Sequence, residues 1–393
     1  MTEARRLNAM PKVLFTASVF AHLNAFHVPY IQHFRERGYE VHTAANGGNT
    51  LAAVDRHFDI DFHRSPLSPK NIRGYKALKR LIDENGYDII HCHTPVVGVL
   101  TRLAARAARK RGTVVIYTAH GFHFYKGAPP VSGRVFRILE KRLSRYTDHL
   151  ITINAEDYSA ASLYGFRAGA CHLVHGVGVD AERFAVQTPE TKRRSRELFG
   201  IPPDAFVLVF AAEYSRRKNQ GMLLDAVSIL KERVPKSLLL LPGDGPLKEA
   251  YGQRAAALGI ADNVWLMGFR DDMDRLLPAA DVAVSSSIQE GLPINIVEAM
   301  AVSLPVVATR IRGHVDLVGD GTNGYLVPAG DAEAMADRLR HLHDNPDAVR
   351  AMQARARETA EPFLLHNART ETTRIYDTII YEKQAARKDG NAR

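Results

Sequence analysis

An α/β fold built from two doubly wound parallel domains is what this sequence predicts, on three observations. Short apolar runs alternate with longer amphipathic ones, the pattern of strands and the helices that cover them. The alternation stops near 176–180 (GVGVD), gives way to a charged stretch at 187–197, and then restarts. The chain has 393 residues, enough for two to three domains at about 150 residues each.

In the first half, residues 12–17 (KVLFTA) read as a strand covered on both faces, since the apolar run is continuous. A helix at 29–37 ends at Gly38, and a strand follows at 40–45 (EVHTAA). The segment 71–85 reads as a helix with Leu78, Leu81 and Ile82 on one face. Strands are expected at 88–91 (DIIH) and 113–118 (TVVIYT), with a helix at 97–109 between them. A helix at 132–143 and strands at 149–153 and 171–174 complete this half. The second half repeats the scheme. Strands fall at 206–211, 237–241, 264–267, 281–285 and 305–309, and helices at 221–232, 248–258, 273–277 and 294–302. The domains are therefore 10–180 and 187–361, and a polar helix at 363–386 is expected to pack back on the first. Ligands in such sheets lie beyond the carboxyl ends of the strands, so a central cleft between facing domains is the expected site.

Composition narrows the function. Hydrophobic residues are 46% and charged residues 24%, which excludes a disordered chain. Only Cys92 and Cys171 are present, too few for a disulfide scaffold or a cysteine-built zinc site, and in keeping with a reducing cytoplasm. The formal charge is +9, which favours phosphorylated ligands, anionic lipid or nucleic acid. Nucleic acid is set aside because aromatics do not interleave with the basic residues. No run reaches the roughly 18 apolar residues of a membrane span. The apolar stretch from Val13 is interrupted by His22, Asn24 and His27 and lacks a cleavage site, so a signal peptide is rejected. Met10 is the expected start, with residues 1–9 a disordered extension.

The strongest chemical signal is Glu290-Gly-Leu-Pro-Ile-Asn-Ile-Val-Glu298, which follows a strand and opens a helix. Pro293 suits the first helical turn. The N–H groups around Gly291, Leu292, Ile294 and Asn295 then form an anion site aided by the helix dipole. Carboxylates on either side of that site can hold the hydroxyls of a ligand with a central diphosphate, the layout of a sugar nucleotide. A capping acid followed by a surface helix acid is the plainer alternative. Arg216, Arg217 and Lys218 follow the first strand of the second domain, where they can meet the charge of a diphosphate leaving group or form a solvated basic turn. His120, beside Gly121 at a first-domain strand end, is either catalytic or structural. Asp271 and Asp272 are adjacent and precede a helix, which reads as capping and not as a metal pair. Arg102, Arg106, Arg109, Lys110 and Arg111 form a run without an acid, and Arg134, Arg137, Lys141, Arg142 and Arg145 a second basic helix. These are solvated faces or an attachment to anionic headgroups.

The motif Glu290…Glu298, the flanking 280–287 (ADVAVSSS) and 298–308 (EAMAVSLPVVA), and 320–328 (DGTNGYLVP) resemble the family 4 retaining glycosyltransferases of GT-B fold. The segments 22–30 (HLNAFHVPY), 91–95 (HCHTP), 120–127 (HGFHFYKG) and 143–148 (LSRYTD) are similar to its bacterial exopolysaccharide and capsule transferases of the EpsD type. The resemblance implies that Glu290 contacts the donor sugar, Glu298 the ribose, Lys218 the diphosphate, and that His120 stands near the sugar. The arginine usual five residues before the lysine is Glu213 here, so Arg216 or Arg217 is expected to replace it. Ser303 stands where a glycine is usual, and Asp316 is the usual acid of the next loop. The implied reaction moves a sugar, N-acetylhexosamine by analogy, from a UDP-sugar to a polyprenyl-diphosphate-linked glycan, with retention and without a metal or other cofactor. The implied location is cytoplasmic, peripheral to the inner face of the membrane. A UDP-sugar epimerase on the same fold is the alternative. A dehydrogenase is disfavoured because 16–21 (TASVFA) replaces the glycine fingerprint after the first strand.

Overall fold

The computed structural model describes residues 10–48 and 51–391, with side chains to residue 385; the reading of residues 1–9 lies outside them. The chain divides into two units. One runs to Gly178 and takes up the chain again at His366, and the other is Val179–Leu365.

The first unit contains β1 (Lys12–Val19), α1 (Phe20–Phe26), α2 (Val28–Glu36), β2 (Glu40–Asn46), β3 (Arg56–Asp59), α3 (Lys70–Asn85) and β4 (Ile89–His93). It continues with α4 (Pro95–Ala104), α5 (Arg106–Lys110), β5 (Val114–Ala119), α6 (Pro130–Ser144), β6 (His149–Thr152), α7 (Ala155–Leu163) and β7 (Ala170–Leu173). The strands form one parallel sheet in the order β3-β2-β1-β4-β5-β6-β7. Leu14, Ile90 and Val115 pack on Leu78, Leu81 and Ile82 of α3, the face expected from their spacing. Chain order reverses between β1 and β4, so the loops leaving these strands frame the crevice where such sheets hold ligands.

Three elements of this unit were not expected. Edge strand β3 has no fully buried residue, so it lacks the apolar run that marks the others. Helix α1 is seven residues long, too short for a periodic signal. Helix α7 starts on the Asn154 side chain, which accepts from the Asp157 N–H at 2.8 Å. The helix expected at 97–109 is two helices, broken at Ala105. Three members of the basic run are paired with acids, while Arg106 and Lys110 are exposed. Arg102 is buried and forks onto Glu140 of α6 at 2.8 and 3.2 Å, lying 4.0 Å from the Tyr117 ring centre. Arg109 pairs with Asp148 at 2.7 Å and Arg111 with Asp83 at 3.3 Å.

The second unit contains α8 (Pro189–Phe199), β8 (Phe206–Val209), α9 (Gln220–Lys231), β9 (Ser237–Pro242), α10 (Lys248–Ala257), β10 (Val264–Gly268) and α11 (Met273–Leu276). Then come β11 (Val282–Ser285), α12 (Ile294–Ala301), β12 (Val306–Thr309), β13 (Gly324–Val327), α13 (Ala332–Asp344) and α14 (Pro346–Ala360). Its parallel sheet runs β10-β9-β8-β11-β12-β13. The reversal lies between β8 and β11. Inner strand β9 (SLLLLP) is buried along its whole length, as a strand covered on both faces requires.

The charged stretch at 187–197 is helix α8. A reciprocal Thr188–Thr191 capping box starts it, Pro189 occupies its first turn, and Gly200 ends it at φ 67°. Two of its cations reach inward: Arg196 and Lys192 both bind Asp281, the first at 2.9 Å, whereas exposed Arg193 and Arg194 pair with Glu190. Asp272 precedes α11 but makes no side-chain cap; its carboxylate is held by Arg270 at 2.6 and 2.7 Å. The arginine competes successfully for the oxygens a cap would use.

Ser303 follows α12 at φ 71°, a left-handed conformation that costs a side chain but not glycine. Ser303→Gly is therefore expected to stabilise the protein by about 0.5–1 kcal/mol. Denaturant unfolding checks this, and an unchanged or lower midpoint contradicts it.

Helix α15 (Leu365–Asn391) returns to the first unit. Buried Tyr376 bonds His91 Nδ1 at 3.0 Å, and Asp377 binds His33 Nε2 at 2.9 Å and also Arg37. Among the described residues no helix is long and apolar enough to cross a membrane.

Candidate active site

The loops leaving β8 and β11 meet at the strand-order reversal of the second unit. The Ile288 N–H donates to the Arg217 carbonyl at 2.9 Å, and Ser286 Oγ to the Lys218 carbonyl at 2.9 Å. These bonds hold two predicted segments, 216–218 and 290–298, against each other. Glu290 is buried, with Lys218 Nζ 2.6 Å from one carboxylate oxygen and Arg217 Nη1 3.0 Å from the other. Burial would raise its pKa, but the two cations outweigh burial and hold the carboxyl below its usual range. Arg216 and Arg217 are both exposed, and it is the ion pair to Glu290 that makes Arg217 the lysine's companion. Glu213, in the place of the usual arginine, is exposed.

Beneath the loop, buried His314 bonds Ser285 Oγ at 3.1 Å and the Thr309 carbonyl at 2.7 Å. Burial pushes its pKa down to about 4, so it is a neutral brace. Arg312 donates through Nε to the Glu290 carbonyl at 2.8 Å and is also buried. It is absent from the sequence-based site, although its place just after β12 is the signal that would have found it. Gly313, at φ +81°, lies so close to Gly291 that an added Cβ would stand 2.6 Å from the Gly291 carbonyl. The close approach of these two backbones requires glycine. The Asp316 carboxylate accepts from the Gly313 N–H at 3.2 Å and steadies that turn.

Pro293 is the N-cap of α12, in extended conformation, and not a first-turn residue as expected. The structural effect is close, because proline lacks an N–H in either place. No side-chain hydrogen bond caps α12, and Ile296 and Val297 donate to the Pro293 carbonyl, so the N–H groups of Ile294 and Asn295 are the ones the helix leaves for an outside acceptor. Gly291 and Leu292 lead into it. Glu298 lies in the second turn. Burial pushes its carboxyl up to about 7, and Arg183, itself 3.3 Å from Asp274, offsets this only in part.

His120 lies in the first unit, just after β5. Its Nε2 is 3.3 Å from His93 Nδ1, and His22 and His27 complete a cluster around it. Thr94, next to His93, has φ 63°, and its Oγ1 bonds Ser18 Oγ at 2.8 Å. A β-branched residue in that conformation is strained and is held there by this contact. A pocket beside the cluster is about 400 Å³ and is lined by His22, Arg64, Val99, Leu100, Phe136 and Leu139, among others.

Residues 191–359 match the family model for group 1 glycosyl transferases, and residues 30–183 the one for Glycosyltransferase Family 4. EpsD of Bacillus subtilis (strain 168), which carries the name of a glycosyltransferase, is 45% identical over 369 residues, 94% of this chain and 97% of its own. The UDP-Gal:alpha-D-GlcNAc-diphosphoundecaprenol alpha-1,3-galactosyltransferase of Escherichia coli is 27% identical over 279 residues, 70% of this chain and 71% of its own. Among solved structures, Anabaena Alr3699/HepE in complex with UDP-glucose superposes with a TM-score of 0.76 at 21% identity, covering 94% of this chain and 100% of that one. That likeness shows the fold, two doubly wound units of the GT-B type. With two family domains in series and a relative matched from end to end, the chain belongs to the family 4 glycosyltransferases.

Proposed function

We propose that the protein transfers a sugar, an N-acetylhexosamine, from a UDP-sugar to a polyprenyl-diphosphate-linked acceptor, with retention, in exopolysaccharide or capsule synthesis. The observation that carries this reading is the convergence of Lys218 and Arg217 on Glu290 beside the uncapped start of α12, with Glu298 one turn further on. The diphosphate would lie on the α12 N–H groups and draw on Lys218 and Arg217. Glu290 would then turn its oxygens to sugar hydroxyls, and Glu298 to the ribose. As the bond between the anomeric carbon and the diphosphate oxygen breaks, the acceptor oxygen bonds to that carbon from the same face. The acceptor proton passes to a phosphate oxygen of the departing UDP. The two cations and the helix N-terminus meet the developing charge, so this step runs without a metal. The UDP-Gal donor and diphosphoundecaprenol acceptor of the Escherichia coli galactosyltransferase, and the UDP-glucose complex of HepE, support donor and acceptor classes of this kind. The test is transfer from a panel of UDP- and GDP-sugars to a synthetic undecaprenyl-diphosphate glycan, with the product's anomeric configuration read by NMR. Transfer from a UDP-hexosamine with retention supports the reading. Transfer from GDP-sugars only, inversion, or acceptor-independent isomerisation of the donor contradicts it.

Attachment to an anionic membrane surface is part of the proposal. Helix α6 exposes Val131, Val135, Ile138 and Leu139 at 79, 59, 42 and 36% of their surface, positions that share one helical face. Exposed Arg134, Lys141 and Arg142 stand beside them. Such a face suits shallow insertion with basic residues at the headgroups. Val135→Glu is expected to weaken binding to anionic vesicles by about tenfold, roughly the burial of one valine. Added salt is expected to weaken the wild type. Sedimentation indifferent to both contradicts the assignment.

A further inference from the structure

We propose that His22, His27, His93 and His120 together bind one divalent transition-metal ion, zinc foremost, at the carboxyl ends of β1, β4 and β5. This goes beyond sugar transfer and does not depend on it: the ion would lie within the first unit, whereas the cations assigned to the diphosphate are in the second. The four residues come from three separate stretches of chain. His22 is in α1, His27 joins α1 to α2, His93 ends β4, and His120 follows β5. The order β1-β4-β5 in the sheet brings those stretches side by side.

The spacing fits an ion. One nitrogen from each ring lies within 4.8 Å of all the others. His22 Nε2 and His27 Nε2 are 3.3 Å apart, as are His93 Nδ1 and His120 Nε2. A tetrahedral zinc with Zn–N bonds of about 2.0–2.1 Å places its ligand nitrogens about 3.3–3.4 Å apart. The same separation is long for an N–H hydrogen bond, which is shortest and strongest below about 3.2 Å. His93 Nε2 is buried with no hydrogen-bond partner, so no protein group holds that ring by its second nitrogen, and Nδ1, turned toward His120, is the nitrogen it offers the ion. Neighbouring His91 is the useful contrast. It bonds Thr118 Oγ1 at 2.8 Å and the Tyr376 hydroxyl at 3.0 Å, so both its nitrogens are engaged and it is not a ligand.

The chemistry agrees. Burial, reinforced by Arg64 for His22 and by neighbouring imidazoles for the others, lowers the pKa of all four, that of His22 to about 4. The rings are therefore neutral, the form that coordinates a metal. Imidazole-only sites suit zinc, copper, nickel and cobalt more than magnesium or calcium, which take oxygen. Bound there, the ion would tie α1, β4 and β5 together and fix the proton of His120 on Nδ1.

The experiment uses the untagged full-length protein, stripped with a chelator and then titrated with zinc sulfate and, separately, cobalt(II) chloride. Expected are about one tightly bound ion per chain, a higher melting temperature with zinc, and the intense visible bands of tetrahedral cobalt. His93→Gln and His27→Gln are expected to lose the ion. His149→Gln, which disrupts the separate His149–His172 pair spaced 3.1 Å apart, is expected to keep it. X-ray absorption on the zinc-loaded wild type needs no variant and is expected to show an imidazole shell. No bound ion, octahedral cobalt, a shell without imidazole, or loss of the ion in His149→Gln alone overturns the proposal.

Discussion

Replacing Lys218 with alanine is expected to lower kcat/KM for sugar transfer by about 10²–10³-fold, the usual cost of removing one preorganised group that meets transition-state charge. Lys218 Nζ is 2.6 Å from buried Glu290, so the change also leaves a carboxylate with Arg217 as its remaining strong cation. Breaking a buried pair from one side is destabilising. Here Arg217 stays, and the expected loss is about 2–3 kcal/mol, below that of a fully orphaned charge. The double variant Lys218→Ala, Glu290→Gln separates the two effects. It is expected to recover most of the melting temperature and none of the activity. Near-normal kcat/KM in Lys218→Ala, with the fold intact, would remove the lysine from the leaving-group site.

Nucleotide affinity is expected to depend on pH through Glu298. Burial raises its carboxyl to about 7 in the free protein, so below that pH it is mostly protonated. A carboxylate that accepts two ribose hydroxyl bonds favours the ionised form. Binding then releases a proton at pH 6 but not at pH 8.5. Affinity for UDP is expected to rise by up to about tenfold per pH unit between about 5 and 7 and to level off above. Because UDP itself titrates, the measured quantity is the difference between wild type and Glu298→Gln, whose profile lacks this component. Stability runs the other way. A carboxyl raised in the folded state contributes stability that is complete below its unfolded value near 4.5 and is lost as pH rises through about 7. Melting temperatures of wild type relative to Glu298→Gln are therefore expected to fall from pH 5 to pH 8. Parallel profiles for the two proteins would contradict the burial of an ionisable group here.

The two sheets were legible because inner strands such as β9 are continuous apolar runs and because amphipathic helices separate most of them. The donor-site candidates were legible for a related reason. Lys218 and Glu290 sit just after strand ends, where topology collects ligand-binding groups whatever the intervening sequence. What was hidden depends on contacts across long sequence separations. Arg102 looked like part of a basic face until Glu140, on the next long helix, was seen to neutralise it. Helix α8 read only as a charged stretch because the partner of Lys192 and Arg196 is Asp281, far along the chain. Arg312 braces Glu290 through a backbone carbonyl, a partner that leaves no mark in composition. Each of the four clustered histidines is unremarkable by itself, and sheet order alone makes them neighbours.

In the proposed function the second unit holds a uridine diphosphate between Lys218 and Glu298. Calorimetric titration of UDP, GDP and NAD into the wild type and into Glu298→Ala is the sharpest test. UDP is expected to bind the wild type in preference to GDP and NAD, and Glu298→Ala to lose at least tenfold in affinity. Preference for NAD, or UDP binding unchanged in Glu298→Ala, would contradict it.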